Sequence, residues 1–319
     1  MKRKGLLKLA VLVLLGMGVL FSIIAFDLPG LQNAPEVLEL TVITRESDSS
    51  VWSAARQGME QAAGDYGVEL RFLTLGSNNS VEEQRTLIER EAEVGTDGII
   101  LSPADPAALE ETVGLAAEQT IVVTMESDMT QSGATACVCV DNQALGEALG
   151  LAAHNAVRDG GEAVLLNSAP GSTGVALRLQ AAKEALEQNG CQAYICTPGE
   201  REVAEALSEL IQVRRPDAVV AFEPMALEQV ARVVQNFQNP PLVYGMGATN
   251  TIAAYLEQGG ITAIAAQNDY ALGYLAVEIA AKAARKEPFH HLEPIGFSIV
   301  RKENMYDPDQ QKLLFPVTR

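Results

Sequence analysis

The sequence predicts an α/β protein of two similar lobes, each a doubly wound, Rossmann-like parallel sheet covered by helices, behind an apolar N-terminal helix. Three observations predict it. Short apolar runs alternate with amphipathic stretches from Leu38 almost to the C-terminus. The runs lack the in–out alternation of half-exposed strands, so they read as strands buried on both faces of parallel sheets. At Asp141-Asn142 a strand feeds a helix with little turn between, and the pattern starts again. About eleven or twelve strands exceed the eight of a closed (β/α)8 barrel and leave two open sheets.

Leu38–Thr44 is the first strand. Ser50–Tyr66 is a helix with Ala54, Ala55, Gly58, Met59, Ala62 and Ala63 on one face, capped by Ser49 or Ser50. Val68–Thr74 is a strand, Val81–Ala92 a helix, and Gly98–Leu101 a buried strand running to Pro103. Pro106–Ala117 is a helix with proline near its first turn, where the missing N–H costs little. Ile121–Met125 and Thr135–Val140 are further strands. In the second half, helices at Ala144–Arg158, Thr173–Asn189, Glu202–Val213, Met225–Asn236, Thr249–Glu257 and Tyr270–Arg285 alternate with strands. Those strands are Ala163–Asn167, Gln192–Cys196, Ala218–Phe222, Leu242–Gly245, Ile261–Ala266 and Gly296–Arg301.

Leu6 to Phe26 is apolar apart from Lys8. Its length in helical form matches a hydrocarbon core of about 30 Å. The Met-Lys-Arg-Lys start places the N-terminus on the cytoplasmic side and the rest outside. Residues 1–27 therefore read as an uncleaved membrane anchor, and 28–37, with Pro29, Gly30 and Pro35, as a linker. The alternative is a cleaved signal peptide, although Ile23-Ile24-Ala25 is a poor small-x-small site. The body is extracytoplasmic on either reading: tethered to the membrane, or secreted or periplasmic after cleavage.

The chain carries 23 Lys+Arg and 41 Asp+Glu over 319 residues, a net charge of −18. Four of the bases precede Leu9 and every acid follows Phe26. A body this acidic repels phosphate backbones and excludes nucleic acid as a partner. Three histidines leave little material for a metal site, and no metal or cofactor is expected. No Gly-x-Ser-x-Gly elbow, His-Glu-x-x-His pair or Walker loop occurs, so nothing supports an enzyme. Cys137 and Cys139 share one side of a strand. Buried thiols are expected, with a long-range bridge such as Cys139 to Cys196 left open.

In open α/β sheets ligands bind beyond the carboxyl ends of the strands. The loops there hold Thr44–Trp52, Ser102–Asp105, Glu126–Asp128, Ser168–Thr173, Thr197–Arg201, Glu223, Gly245–Asn250 and Gln267–Asp269. With two sheets face to face, these loops line a shared cleft.

An ordered set of residues across this frame carries a family resemblance. It comprises Ser49 to Trp52 with Gly58; Gly98 through Asp105; Val140-Asp141-Asn142 with Gly146; Arg178 behind Gly171-Ser172; Met225-Ala-Leu227; Gln267 with Gly273; and Lys302-Glu303-Asn304. In order and spacing, the set resembles the type I periplasmic sugar-binding proteins of the ribose and galactose type, which share their fold with lactose-repressor-type ligand cores. The resemblance runs from about Leu38 to about Asn304. It implies two lobes joined by a three-crossing hinge that closes on a ligand. Lobe 1 would comprise 38–141 with 268–294, and lobe 2 would comprise 142–267 with 295–319. By position, Trp52 would stack on a sugar face, and Arg178 and Gln267 would hydrogen-bond the ligand. Arg45, Asp48, Glu126, Arg201, Glu223 and Asn250 would complete the binding set, with Asp141, Asn142, Gln267 and Asn268 shaping the hinge. Three positions depart from the sugar-binding pattern: Glu126-Ser127 stands where Asp-Arg is usual, Glu223-Pro224 where Asn-Asp is usual, and Gly245-Met246-Gly247 where an Asp is usual.

The expected function is an extracytoplasmic solute-binding protein, monomeric, that traps a small polar ligand, sugar or sugar-like, for an ABC permease. The alternative is a membrane-tethered sensing subunit for a receptor kinase. An exported enzyme on the same fold is the last choice.

Overall fold

The computed structural model describes residues 12–18, 21–22, 37–158, 160–199, 201–289 and 293–315. Met1–Val37 and Leu38–Arg319 form separate units. In the first, residues 12–18 are helical. Among the described residues no helix is long and apolar enough to cross a membrane. Most of the expected 1–27 anchor, and the 28–37 linker up to Val37, lie outside the described residues.

The second unit contains two sheets. Strands β1 (Leu38–Ile43), β2 (Val68–Leu73), β3 (Gly98–Leu101), β4 (Ile121–Met125) and β5 (Ala136–Val138) lie side by side in the order β2-β1-β3-β4-β5, all parallel. Strands β6 (Glu162–Leu166), β7 (Gln192–Cys196), β8 (Ala218–Ala221), β9 (Leu242–Met246), β10 (Ala263–Gln267) and β11 (Phe297–Val300) form the second, ordered β7-β6-β8-β9-β10-β11. The two sheets repeat one winding, with the order reversing beside β1 and beside β6. Two expectations need correction. β11 runs antiparallel to β10: the helix between them, Asp269–Ala284, packs on the first sheet and makes no crossover on the second. β2 and β7 are edge strands and are not buried on both faces.

Each sheet is covered on both faces. Ile100 and Val42 of the first pack with α1 (Ser53–Tyr66) and α9 (Asp269–Ala284). Ile99 and Leu101, one residue out of phase, pack with α2 (Val81–Val94) and α3 (Glu110–Ala117). In the second sheet, Leu165 faces α4 (Asn142–His154) and α5 (Thr173–Gln188). Val164 and Leu166 face α6 (Val203–Arg214), α7 (Pro224–Val234) and α8 (Asn250–Gln258). A short α10 (Pro308–Leu314), opened by proline, follows; the sequence reading did not include it. α3 starts at Glu110 rather than Pro106, because Asp105 accepts from the Ala108 amide at 3.0 Å and holds a turn there.

Glycines set the closest helix pairs. A Cβ on Gly273 would lie 1.9 Å from the Ala55 carbonyl oxygen, and one on Gly146 would lie 2.1 Å from that of Arg178. α9 is thereby pressed onto α1, and α4 onto α5. The chain passes between the sheets after β5, after β10 and before β11, and the passages run together. The Ile295 amide donates to Cys139 O at 2.9 Å, and the Asn268 amide to Gly296 O at 3.1 Å. Asp141 and Asn268 each cap the helix that leaves a passage, accepting from the Ala144 and Ala271 amides. Cys139 and Cys196 are free thiols, so the bridge left open by the sequence does not form.

Candidate functional site: an acidic interlobe cleft

The loops at the carboxyl ends of both sheets meet over a network of buried charge. Arg45 leaves the end of β1 and is 1 % exposed. Its Nη1 donates to Glu223 Oε2 beyond β8 at 2.7 Å and to Asn79 Oδ1 at 3.0 Å. Its Nη2 lies 3.1 Å from Glu46 Oε1 and 3.5 Å from Glu126 Oε2. Glu223 also accepts from the Ser168 hydroxyl at 2.5 Å, and Glu126 from that of Ser102 at 3.3 Å. Glu126 holds a positive φ of 64°, a conformation costly for a residue with a Cβ.

Arg178, on α5, is as deeply buried. Nε donates to Asn142 Oδ1 at 2.6 Å and Nη1 to Phe222 O at 2.8 Å, while Nη2 lies 3.8 Å from Glu126 Oε1. Asn142 in turn donates to Glu126 O at 3.1 Å. The network thus links the two lobes by the Arg45–Glu223 pair and by the contacts of Glu126 with Arg178 and Asn142.

Burial disfavours charge on Arg45, but Glu46, Glu223 and Glu126 outweigh it and hold the guanidinium above its ordinary range. Arg178 is lowered, burial prevailing over its carboxylate neighbours. Burial also opposes charge on Glu223, yet Arg45 and Ser168 outweigh it and keep this carboxyl below its ordinary value. The same loss of water raises Glu46 to about 7 despite Arg45, and Asp269 to about 7 despite the 2.7 Å bond from Gln267 Nε2.

A cavity of about 20 Å³, room for about one water, lies inside. Trp52, Glu46, Glu126 and Asp269 line it together with Met246 and Gln267 of the second sheet. The Trp52 indole N–H donates to Glu46 Oε2 at 2.6 Å, which fixes the ring edge. A recess of about 200 Å³ touches Arg45, Glu223, Asn79 and Arg201.

Of the residues singled out in the sequence, Arg45, Trp52, Glu126, Arg178, Glu223 and Gln267 come together here. Arg201 is exposed, pairs with Glu209 at 2.8 Å and borders the recess. Asp48 is exposed and caps the turn Ser49–Trp52 by accepting from the Ser50 amide. Asn250 is exposed at the start of α8. Sequence reasoning did not single out Glu46, Asp269, Asn79 or Ser168. Glu46 and Asp269 each adjoin a residue that was singled out, and their adjacency in a strand-end loop was the available signal.

Two doubly wound lobes with a polar cleft between their strand ends define the class of two-lobed, hinge-closing binding proteins. The sequence profile of the periplasmic binding protein domain matches residues 40–288, and the chain belongs to that family. No curated protein matches. Among solved structures, a glucose-galactose binding protein from Geobacillus stearothermophilus is 21 % identical at a TM-score of 0.76, over 85 % of this chain and 100 % of its own. A carbohydrate transporter solute-binding protein from Agrobacterium radiobacter, solved with D-arabinose, is 18 % identical at 0.81, over 88 % and 100 %. A XylFII-LytSN complex is 19 % identical at 0.76, over 84 % and 99 %.

Proposed function

We propose that the chain is an extracytoplasmic solute-binding protein that closes on a small polar, sugar-like ligand and presents it to an ABC importer. The observation that carries this reading is the cleft. Strand-end loops of both sheets enclose one cavity faced by an aromatic plate and by hydrogen-bonding groups. Sugars bound to proteins of the same fold support the ligand class. The binding set is Arg45, Trp52, Glu126, Arg178, Glu223 and Gln267, with Asp48, Arg201 and Asn250 at the rim. The lobes take the bounds 38–141 with 268–294 and 142–267 with 295–319, and Asp141, Asn142, Gln267 and Asn268 form the hinge. A cavity of about 20 Å³ admits no sugar, so a ligand enters an opened form and shifts the balance back to the closed one. The protein acts as a monomer that binds without turnover, held outside the membrane by its N-terminal segment.

A second reading, a tethered sensing subunit, is favoured by the similarity to the XylFII-LytSN complex. The test of the first reading is a thermal-shift screen of the full chain against pentoses, hexoses and amino sugars. A ligand at 100 times its Kd adds about 2.7 kcal/mol. Trp52→Ala should remove the shift; a shift that survives it takes Trp52 out of the site.

A further inference from the structure

We propose that the ligand of this cleft carries a positive charge, as a small polyhydroxylated amine such as an amino sugar. The inference rests on the binding reading above and names the ligand class of that same site.

The charges around the cavity, and the bonds that already engage them, define the ligand class. Among the described residues, the cavity wall presents three carboxyl groups, Glu46, Glu126 and Asp269, and no lysine, arginine or histidine. The two buried arginines are nearby, and most of their donors are committed; Arg45 Nε alone of its three nitrogens is buried without a hydrogen-bond partner. Arg45 turns both Nη atoms to Glu223, Asn79, Glu46 and Glu126. Arg178 is held by Asn142, Phe222 O and Glu126. A ligand hydroxyl or carboxylate taken on Arg45 Nη1, or on Arg178 Nε or Nη1, would break a buried bond.

Fully ionised, Glu46, Glu126, Glu223 and Asp269 outnumber the two arginines by two charges. A neutral sugar would leave that excess to be met by protons alone in a site that closes water out, and a sugar acid would add to it. A ligand cation neutralises part of it, and the Trp52 face in the same wall attracts a cation as well as a sugar C–H face. The acidic body, net −18 over the chain, steers the same class of ligand inward.

Protonation supports the geometry. Glu46 faces Arg45, Trp52, Glu126 and Glu223; Asp269 faces Gln267, Glu126 and Arg178. Both carboxyls are pushed up to about 7, so the closed cleft relieves part of its excess by holding protons. An arriving ammonium replaces those protons and expels them.

The experiment is calorimetric titration of the full chain with D-glucosamine and D-galactosamine, each against its hydroxyl counterpart, D-glucose or D-galactose. The expected result is binding of an amine at least about tenfold tighter than its counterpart, a difference of about 1.4 kcal/mol. Proton release should accompany it, with affinity rising from about pH 5.5 to about 7 as the carboxyls ionise. Glu46→Gln with Asp269→Asn should abolish both the preference and the proton release. A neutral sugar bound as tightly as its amine overturns the charge inference and leaves the sugar-trapping reading standing. Silence from all four sugars overturns that reading, and the inference with it.

Discussion

Arg45 and Arg178 are buried to the same depth, each 1 % exposed, but their surroundings differ. Arg45 stands at the end of β1 among three carboxylates, and its shortest bond crosses to Glu223 on the other lobe. Arg178 lies inside the second lobe, where two of its three groups bond to neutral oxygens of Asn142 and Phe222. The first is held above its ordinary pKa and the second below it. The difference separates two uses of a buried cation. Arg178 is a strut that fixes α5 to the loop after β8. Under the proposed hinge motion Arg45 would be a latch, since its bond to Glu223 spans the loops of the two sheets.

The strongest way to break the comparison is Arg178→Met. Asn142 Oδ1 and Phe222 O lose their donor inside the second lobe, and Glu126 loses its contact from across the cleft. The expected loss is about 3–5 kcal/mol of unfolding free energy, as for other buried pairs cut on one side. Urea denaturation should show a lower midpoint. A loss below about 1 kcal/mol, the range of exposed pairs, would mean that Arg178 is no strut.

Arg45→Met should cost less in stability and more in shape. It leaves Glu223, Glu46 and Glu126 crowded without their shared cation, but the lobes can part and rehydrate them. The expected cost is about 1–2 kcal/mol, between the values for exposed and buried pairs. Solution scattering should show a larger radius of gyration than for the native chain, whereas Arg178→Met keeps its shape while folded. An unchanged radius would remove Arg45 from lobe closure.

How far this contrast was legible in the sequence differs by level. The strands of both sheets were placed to within about two residues, because a continuous apolar run between turn signals leaves little freedom. The edges were misjudged: Val68–Leu73 and Gln192–Cys196 carry enough apolar residues to read as central strands, and only topology puts them outside. At the cleft, the loops were legible from the rule that strand ends carry the site. The side-chain directions within them were not. In Thr44–Trp52, Arg45 turns to the opposite lobe, Glu46 to the cavity and Asp48 to the Ser50 amide. No periodicity distinguishes these outcomes once the strand has ended. The division of labour between Arg45 and Arg178 depends on partners 178 and 44 residues away in the chain, which one sequence read alone does not pair.

A smaller effect follows from pH and sharpens the latch. Glu46 has an ordinary pKa of 4.5 and is raised to about 7 in the closed fold, and Asp269 goes from 3.8 to about 7. Between those limits the native state holds protons that the unfolded chain gives up. Stability therefore falls as pH rises across the window, the reverse of a salt-bridged carboxylate. Each pKa unit is worth about 1.4 kcal/mol, and opening of the lobes rehydrates the groups, so about 1 kcal/mol should remain visible between about pH 5 and about 7.5. Denaturation midpoints across that range check it, and Glu46→Gln with Asp269→Asn should flatten the slope. A midpoint that rises with pH would contradict the assignment.

The smallest effect belongs to Arg201, the third arginine the sequence placed in the cleft. It is exposed, and so is its partner Glu209, with side-chain accessibilities of 54 % and 67 %. Such a pair contributes little, because water screens it and two long side chains must be held in one geometry. Arg201→Ala should move the denaturation midpoint by less than about 0.5 kcal/mol and leave the pH slope intact. Arg201 nevertheless borders the same recess as Arg45 and Glu223, so a ligand reaching that rim would lose affinity in the variant without any loss of stability. Titration of Arg201→Ala with whichever sugar binds the native chain separates the two cases. Unchanged affinity confines the binding set to the buried network, whereas a loss with unchanged stability extends it to the rim.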